Sequence, residues 1–248
     1  MNRVIIVTGG SRGIGAATAL KAASEGYAVC VNYLHNAVAA NNVVTQIHQN
    51  GGSAIAVAAD VSQEEDVERL FETVDYKLGT ITALVNNVGI LQQKMRLDEM
   101  DMARLNKIFT TNITSHFLCS KQAIKRMSTK YGGNGGSIVN VSSAASRLGA
   151  AGEYVDYAAS KGAIDTLTIG LSREVASEGI RVNCIRPGFI YTDIHADGGE
   201  PNRVSRLEPS LPMLRGGEPA EVANAIIWLL SDQAAYVTGT FIEAAGGR

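Results

Sequence analysis

Seven short runs rich in apolar and β-branched residues recur along the chain: RVIIVT, YAVCVNY, SAIAVAA, ITALVNN, GSIVNVSS, IRVNCIRP and GTFIEAAG. Most are followed by segments whose apolar positions return every three to four residues, the period of an amphipathic helix. That spacing predicts helices over about 14–25, 36–49, 63–77, 101–129, 155–178 and 218–231. Hydrophobicity within the strand runs is continuous rather than alternating. Both faces of each strand are therefore buried, as in a parallel sheet covered by helices on either side. The expected fold class is α/β: one doubly wound domain over 1–248, with a central parallel sheet of about seven strands.

Nothing in the pattern divides the chain. It has 248 residues, shows no repeat of fixed period, and has no linker rich in Pro, Gly or Ser. One irregular stretch, 188–217, holds three of the five prolines. A structureless segment of that length is uncommon inside a compact domain, so it reads as a lid or substrate-binding loop. The 22 basic and 24 acidic residues nearly cancel, which leaves no global field to attract nucleic acid or an anionic membrane. Cys30, Cys119 and Cys184 are widely spaced and form neither a disulfide framework nor a CxxC motif, so a reduced cytoplasm is expected. The four histidines lack metal-ligand spacing, and no metal is expected. The opening MNRVIIVTGG has an apolar run too short for a signal segment or a membrane span.

Chemistry enters at the first strand–helix junction. VTGGSRGIGAATA places Gly9, Gly13 and Gly15 where the strand ends and the helix begins. Glycine lets backbone approach a ligand closely, and a helix N-terminus offers free N–H groups and partial positive charge to a pyrophosphate. The spacing is GxxxGxG rather than the GxGxxG of the familiar dinucleotide fingerprint, and glycines also make turns that bind nothing. At the end of the second strand, Asn32 and Tyr33 stand where a carboxylate would repel a 2′-phosphate. Arg12 lies within reach of the same region. NADP(H) is therefore the expected cofactor, with NAD(H) possible.

EYVDYAASKGA raises the question of which tyrosine, if either, is an acid. On a helix, Tyr157 and Lys161 are i and i+4 and share a face, whereas Tyr154 sits two turns from Lys161, about 10 Å along the axis. An ammonium about 4 Å from a phenol, at an effective dielectric near 20, contributes on the order of 4 kcal/mol, roughly three pK units. The spacing thus predicts an acidified Tyr157. Such a pair is also common on ordinary helices. The strand IVNVSS, ending in Ser142 and Ser143, brings hydroxyls to the sheet edge that receives the dinucleotide; a serine there also caps turns.

Taken together, TGGSRGIG, Asp60-Val61, NNVG at 86–89, Asn112, Ser143, YAASK at 157–161 and RPGFIYT at 186–192 resemble the short-chain dehydrogenases/reductases over almost the whole chain. The resemblance implies a Rossmann-type domain and an oxidoreductase using NADP(H) or NAD(H) on a carbonyl or secondary alcohol. It implies a catalytic set of Asn112, Ser143, Tyr157 and Lys161. Tyr157 would exchange the proton, Ser143 would orient the substrate oxygen, Lys161 would lower the phenol's pKa and bind the nicotinamide ribose, and Asn112 would hold a relay water. It implies cofactor contacts from the turn (Gly9, Ser11, Arg12, Gly13, Ile14, Gly15), from Asn32 and Tyr33, from Asp60 and Val61 at the adenine, and from Asn87 and Gly89. Tyr157, Lys161, Pro187, Gly188, Ile190 and Thr192 complete them.

Two departures stand out. Ser143 precedes Tyr157 by fourteen positions, one more than the family's usual spacing, which places an insertion in AAGEYVD. NNVG carries Val88 where alanine is usual, adding bulk beside the cofactor. The resemblance extends to 3-oxoacyl carrier-protein reductases and sugar 1-dehydrogenases. Glu178 stands where the former usually carry an arginine that grips their acidic carrier, so a free small molecule such as a sugar, polyol or ketone is the expected substrate. The alternatives are a 3-oxoacyl carrier-protein reductase and, from another class, a non-catalytic NADP(H)-sensing protein. A homotetramer, common in this family, is the expected assembly.

Overall fold

The structure, a computed structural model, describes residues 3–248; the first two residues of the expected 1–248 domain lie outside the described residues. Its strands are β1 (Arg3–Val7), β2 (Tyr27–Tyr33), β3 (Ser53–Ala58), β4 (Ala83–Asn86), β5 (Gly136–Val141), β6 (Ile180–Pro187) and β7 (Phe241–Ala244). The helices are α1 (Gly13–Ser24), α2 (Ala37–Gln49), α3 (Glu64–Lys77), α4 (Met102–Phe109), α5 (Ser115–Met127), α6 (Ala145–Leu148), α7 (Val155–Glu174), α8 (Ile194–Asp197), α9 (Arg203–Leu207) and α10 (Pro219–Leu230).

All seven strands form one parallel sheet in the order β3-β2-β1-β4-β5-β6-β7. Successive side chains of a strand point to opposite faces, and β1 shows the result. Ile5 and Val7 join one core with Ala19 and Ala22 of α1, Val43 and Ile47 of α2, and Val222 and Ile226 of α10. Val4 and Ile6 join the other, with Leu70 and Phe71 of α3, Cys119 and Met127 of α5, and Leu171 of α7. Two cores on two faces explain the unbroken hydrophobicity of the strand runs. The order reverses between β1 and β4, and at such a switch point the carboxyl ends of the strands open a crevice.

Two expected elements differ in detail. The helix expected over 101–129 carries a π-helical turn at Thr110–Thr114 between α4 and α5, the kind of bulge that often re-aims a functional side chain. The stretch 188–217 is not structureless. It holds α8 and α9, and its neck is closed by backbone bonds from Tyr191 N to Gly217 O (3.0 Å) and Gly217 N to Phe189 O (2.9 Å). Among the described residues no helix is long and apolar enough to cross a membrane.

Candidate active site

A cavity of about 1200 Å³ lies along the carboxyl edge of the sheet, from the glycine turn to the loop after β6. Every residue expected to touch the cofactor lines it. Of the four expected catalytic residues, Ser143, Tyr157 and Lys161 line it, and Asn112 does not.

The glycine turn is held from beneath. Asn32 is buried and its side chain is committed: Oδ1 accepts from Gly9 N (3.2 Å), while Nδ2 donates to Ala59 O (3.1 Å) and Val57 O (3.3 Å). Asn87 donates from Nδ2 to Thr8 O (3.0 Å) and Gly9 O (3.2 Å). Both asparagines therefore shape the turn from inside the protein. A Cβ on Gly15 would stand 2.3 Å from Gly9 O, so only glycine lets α1 start this close to the turn. The bulk added by Val88 packs against Gly9. Asp60 is braced by Ser62, whose N and Oγ both donate to its Oδ1 (3.0 and 2.7 Å).

Arg12 lies at the rim, where its guanidinium meets Asp197 (2.5 Å) and Asp193 (3.9 Å) of the loop after β6. The groups lining the cavity beyond β2 are Tyr33, Leu34, His35 and Asn36, none of them acidic. Asn36 also caps α2, its Oδ1 accepting from Ala39 N.

The two tyrosines part as their positions on α7 require. Tyr154 is buried, its hydroxyl donates to Gly198 O (3.1 Å), and burial raises its pKa. Tyr157 lines the cavity with Ser143, which is near enough to pull the phenol's pKa down; Ser143 Oγ accepts from Ala145 N (3.1 Å). Ser142 instead turns inward and donates to Lys161 O (3.1 Å).

The expected acidification of Tyr157 by Lys161 is not found. Burial pushes the phenol up to about 12, with Ser143 pulling the other way, and burial pulls Lys161 down to about 8. The physical reason is that helical spacing sets the distance, while both groups are also desolvated, which disfavours their charged forms. The ammonium lies 5.6 Å from the Tyr157 ring centre and donates to Val141 O at 2.8 Å. Its remaining donors have no protein partner among the described residues. A Cβ on Gly89 would stand 3.1 Å from Nζ, so the missing side chain leaves the ammonium room.

Asn112, on the π-turn, is fully buried behind the cavity. Oδ1 accepts from Ile90 N (2.8 Å), and Nδ2 donates to Ile90 O (3.0 Å) and Ser160 Oγ (3.1 Å). Its amide is spent on pinning the loop after β4 to α7.

Two cations escaped the sequence reading. Arg104 pairs with Asp156 through Nε and Oδ2 at 2.7 Å, both side chains buried, and donates to Gln93 O at 2.6 Å. Asp156 in turn accepts from Tyr157 N at 2.9 Å. Arg203 is buried between the rings of Tyr154 and Phe189 and bridges Glu153 and Glu200. The Asp-Tyr doublet in VDYAASK is the only local signal for the first; its partner is 52 residues away. Glu178 does not line the cavity. It sits beyond α7 at the amino end of β6, where its Oε2 accepts from Ser128, so its charge does not act at the mouth of its own chain's cavity. No cluster of potential metal ligands occurs among the described residues.

Comparison with known proteins gives a consistent set of likenesses. A family described as Enoyl-(Acyl carrier protein) reductase matches residues 9–248. The chain is 58% identical over 245 residues to the uncharacterized oxidoreductase YgfF of Escherichia coli, covering 99% of each. It is 39% identical over 247 residues to a 3-oxoacyl-[acyl-carrier-protein] reductase of Synechocystis, covering 99% of this chain and 96% of that one. The crystal structure of a dehydrogenase/reductase from Sinorhizobium meliloti superposes with a TM-score of 0.90 at 33% identity, covering 99% of this chain and 94% of that one.

Proposed function

The chain belongs to the short-chain dehydrogenase/reductase family, and from that premise we propose that it moves hydride between NADP(H) and a carbonyl or secondary alcohol of a small molecule. The observation that carries the reading is the meeting of Ser143, Tyr157 and Lys161 in the cavity that the glycine turn opens. The residues fit a dinucleotide: the turn leaves α1's N-terminus bare through Gly15, and Lys161 is a buried cation with free donors beside Gly89. The turn and α1 would hold the pyrophosphate, Asp60 and Val61 the adenine, Tyr157 and Lys161 the nicotinamide ribose, and Thr192 the carboxamide. When bound, the nicotinamide supplies or accepts the hydride.

The chain's own groups handle the proton. Ser143 and Tyr157 converge on the place where a substrate oxygen must lie, and two hydroxyls there favour the charge that develops on it. A phenol raised to about 12 keeps its proton at neutral pH, as a general acid in carbonyl reduction must. Tyr157 Oη gives that proton to the oxygen, and the charged Lys161 favours the phenolate left behind. Asn112 positions Ile90 and the loop beside the ammonium.

NADP(H) is favoured by the absence of an acid beyond β2, and by Arg12, which exchanges Asp197 and Asp193 for a 2′-phosphate. Free, buried Cys30, Cys119 and Cys184 support a reducing cytoplasm, and exposed Phe109 and Phe117 support association into a homotetramer. The test is a panel of ketones, sugars and alcohols followed by NADPH and NADH absorbance. Turnover of panel members, faster with NADPH, is expected. Cofactor binding without any turnover would favour a sensing protein instead.

A second reading has its own support in the relatives named 3-oxoacyl-[acyl-carrier-protein] reductases at 34% and 39% identity. It requires acetoacetyl thioesters to outperform free ketones in the same assay.

A further inference from the structure

Beyond Ser143 and Tyr157, the cavity is walled by a ladder in which aromatic rings alternate with guanidinium groups. Arg203 lies 4.9 Å from the Tyr154 ring centre and 5.6 Å from that of Phe189, and Arg248 lies 5.0 Å from Phe189. The two cations differ in their charge balance. Arg203 is buried and its charge is spent on Glu153 and Glu200. Arg248 is exposed at the cavity and forms no salt bridge with an acidic side chain among the described residues.

Arg248 is nonetheless held in place. Gly246 and Gly247, at φ +61° and +90°, turn the chain back in a conformation that other residues rarely adopt. Arg147 Nη2 donates to Arg248 O at 3.1 Å. The guanidinium carbon lies over the Phe189 ring, and its N–H groups donate to no protein partner among the described residues. Those groups match a carboxylate or phosphate in bidentate fashion. A positioned, unpaired guanidinium in the wall of the cavity that also holds Ser143 and Tyr157 has one fitting complement.

Resting on the oxidoreductase reading above, we infer that Arg248 is a specificity residue that binds an anionic oxygen group of the substrate, so that the carbonyl compound carries a carboxylate or phosphate.

The test uses carbonyl pairs that differ in charge: acetoacetate against ethyl acetoacetate, and dihydroxyacetone phosphate against dihydroxyacetone. With the full chain and NADPH, the charged member of one pair is expected to lead in kcat/KM by at least about tenfold, through KM. Which pair responds separates carboxylate from phosphate. Arg248→Ala should lower that ratio by about tenfold or more, and Arg248→Lys should retain part of it. A wild-type preference for the neutral members, or an unchanged ratio in Arg248→Ala, overturns the inference. Should the pairs turn over poorly, the same compounds serve as inhibitors of whichever panel ketone reacts. Charged members that do not compete, or that compete equally well against Arg248→Ala, overturn it too. Failure of every carbonyl to react would strike the oxidoreductase reading instead.

Discussion

Arg104 and Asp156 form a buried ion pair, Nε to Oδ2 at 2.7 Å, and Asp156 Oδ1 accepts the backbone N–H of Tyr157 at 2.9 Å. The pair joins α4 to the start of α7 one residue before the phenol, while Arg104 also holds the carbonyl of Gln93. Removing one partner strands the other charge in the interior. Arg104→Ala is therefore expected to cost about 3–5 kcal/mol of stability, measured by urea denaturation. A loss under about 1 kcal/mol would show that water reaches the pair.

Tyr157→Phe removes the phenolic hydroxyl that shares the cavity with Ser143. Turnover should fall at least about a hundredfold, the low end for a general acid, while the Kd for NADPH rises by no more than about fivefold, the one ribose bond lost. Tyr154→Phe loses only the bond to Gly198, worth about 1 kcal/mol, and should stay within a few-fold of the parent. Steady-state kinetics of both variants, set beside fluorescence titration of NADPH, separates the two roles.

The pH profile follows from Lys161. Burial brings its pKa down to about 8, while Tyr157 stays protonated to about 12. Below about 8 the ammonium is charged and favours the phenolate left by proton donation; above it that charge is gone. In the reducing direction kcat/KM, which reports groups of the free enzyme, is expected to be flat at low pH and to fall as pH rises through about 8. A profile level to pH 10 would separate Lys161 from the proton step.

Arg12 links the glycine turn to the loop after β6 through Asp197 and Asp193. The groups are exposed, so the pairing contributes about 0–1 kcal/mol. Arg12→Ala should narrow the preference for NADPH over NADH. Asp197→Asn should tighten NADPH by up to about fivefold and leave NADH unchanged. Isothermal titration of the four combinations decides, and equal responses of the two cofactors would remove Arg12 from the phosphate site.

Much of this molecule is legible along the chain because its causes are local. The seven strands and the six long helical segments follow from hydrophobic period, and the Tyr157–Lys161 face follows from the i, i+4 geometry of α7. Asn112 was legible as a residue but not as a contact: its bonds run to Ile90, 22 positions away, and to Ser160, 48 away. The sign of the Tyr157 shift was misread for a related reason, since spacing gives a separation and says nothing of how far water is excluded.

By itself, then, the sequence determined the layering, the glycine turn between β1 and α1 and which of two tyrosines shares a face with the lysine. Periodicity and helix geometry act over a few residues, and they read the same in any surroundings. Only the tertiary structure decided that Arg104 meets Asp156, that Lys161 spends a donor on Val141, and that Arg203 is neutralised while Arg248 is not. Those outcomes depend on strand order and on desolvation, which arise when distant segments pack and water leaves.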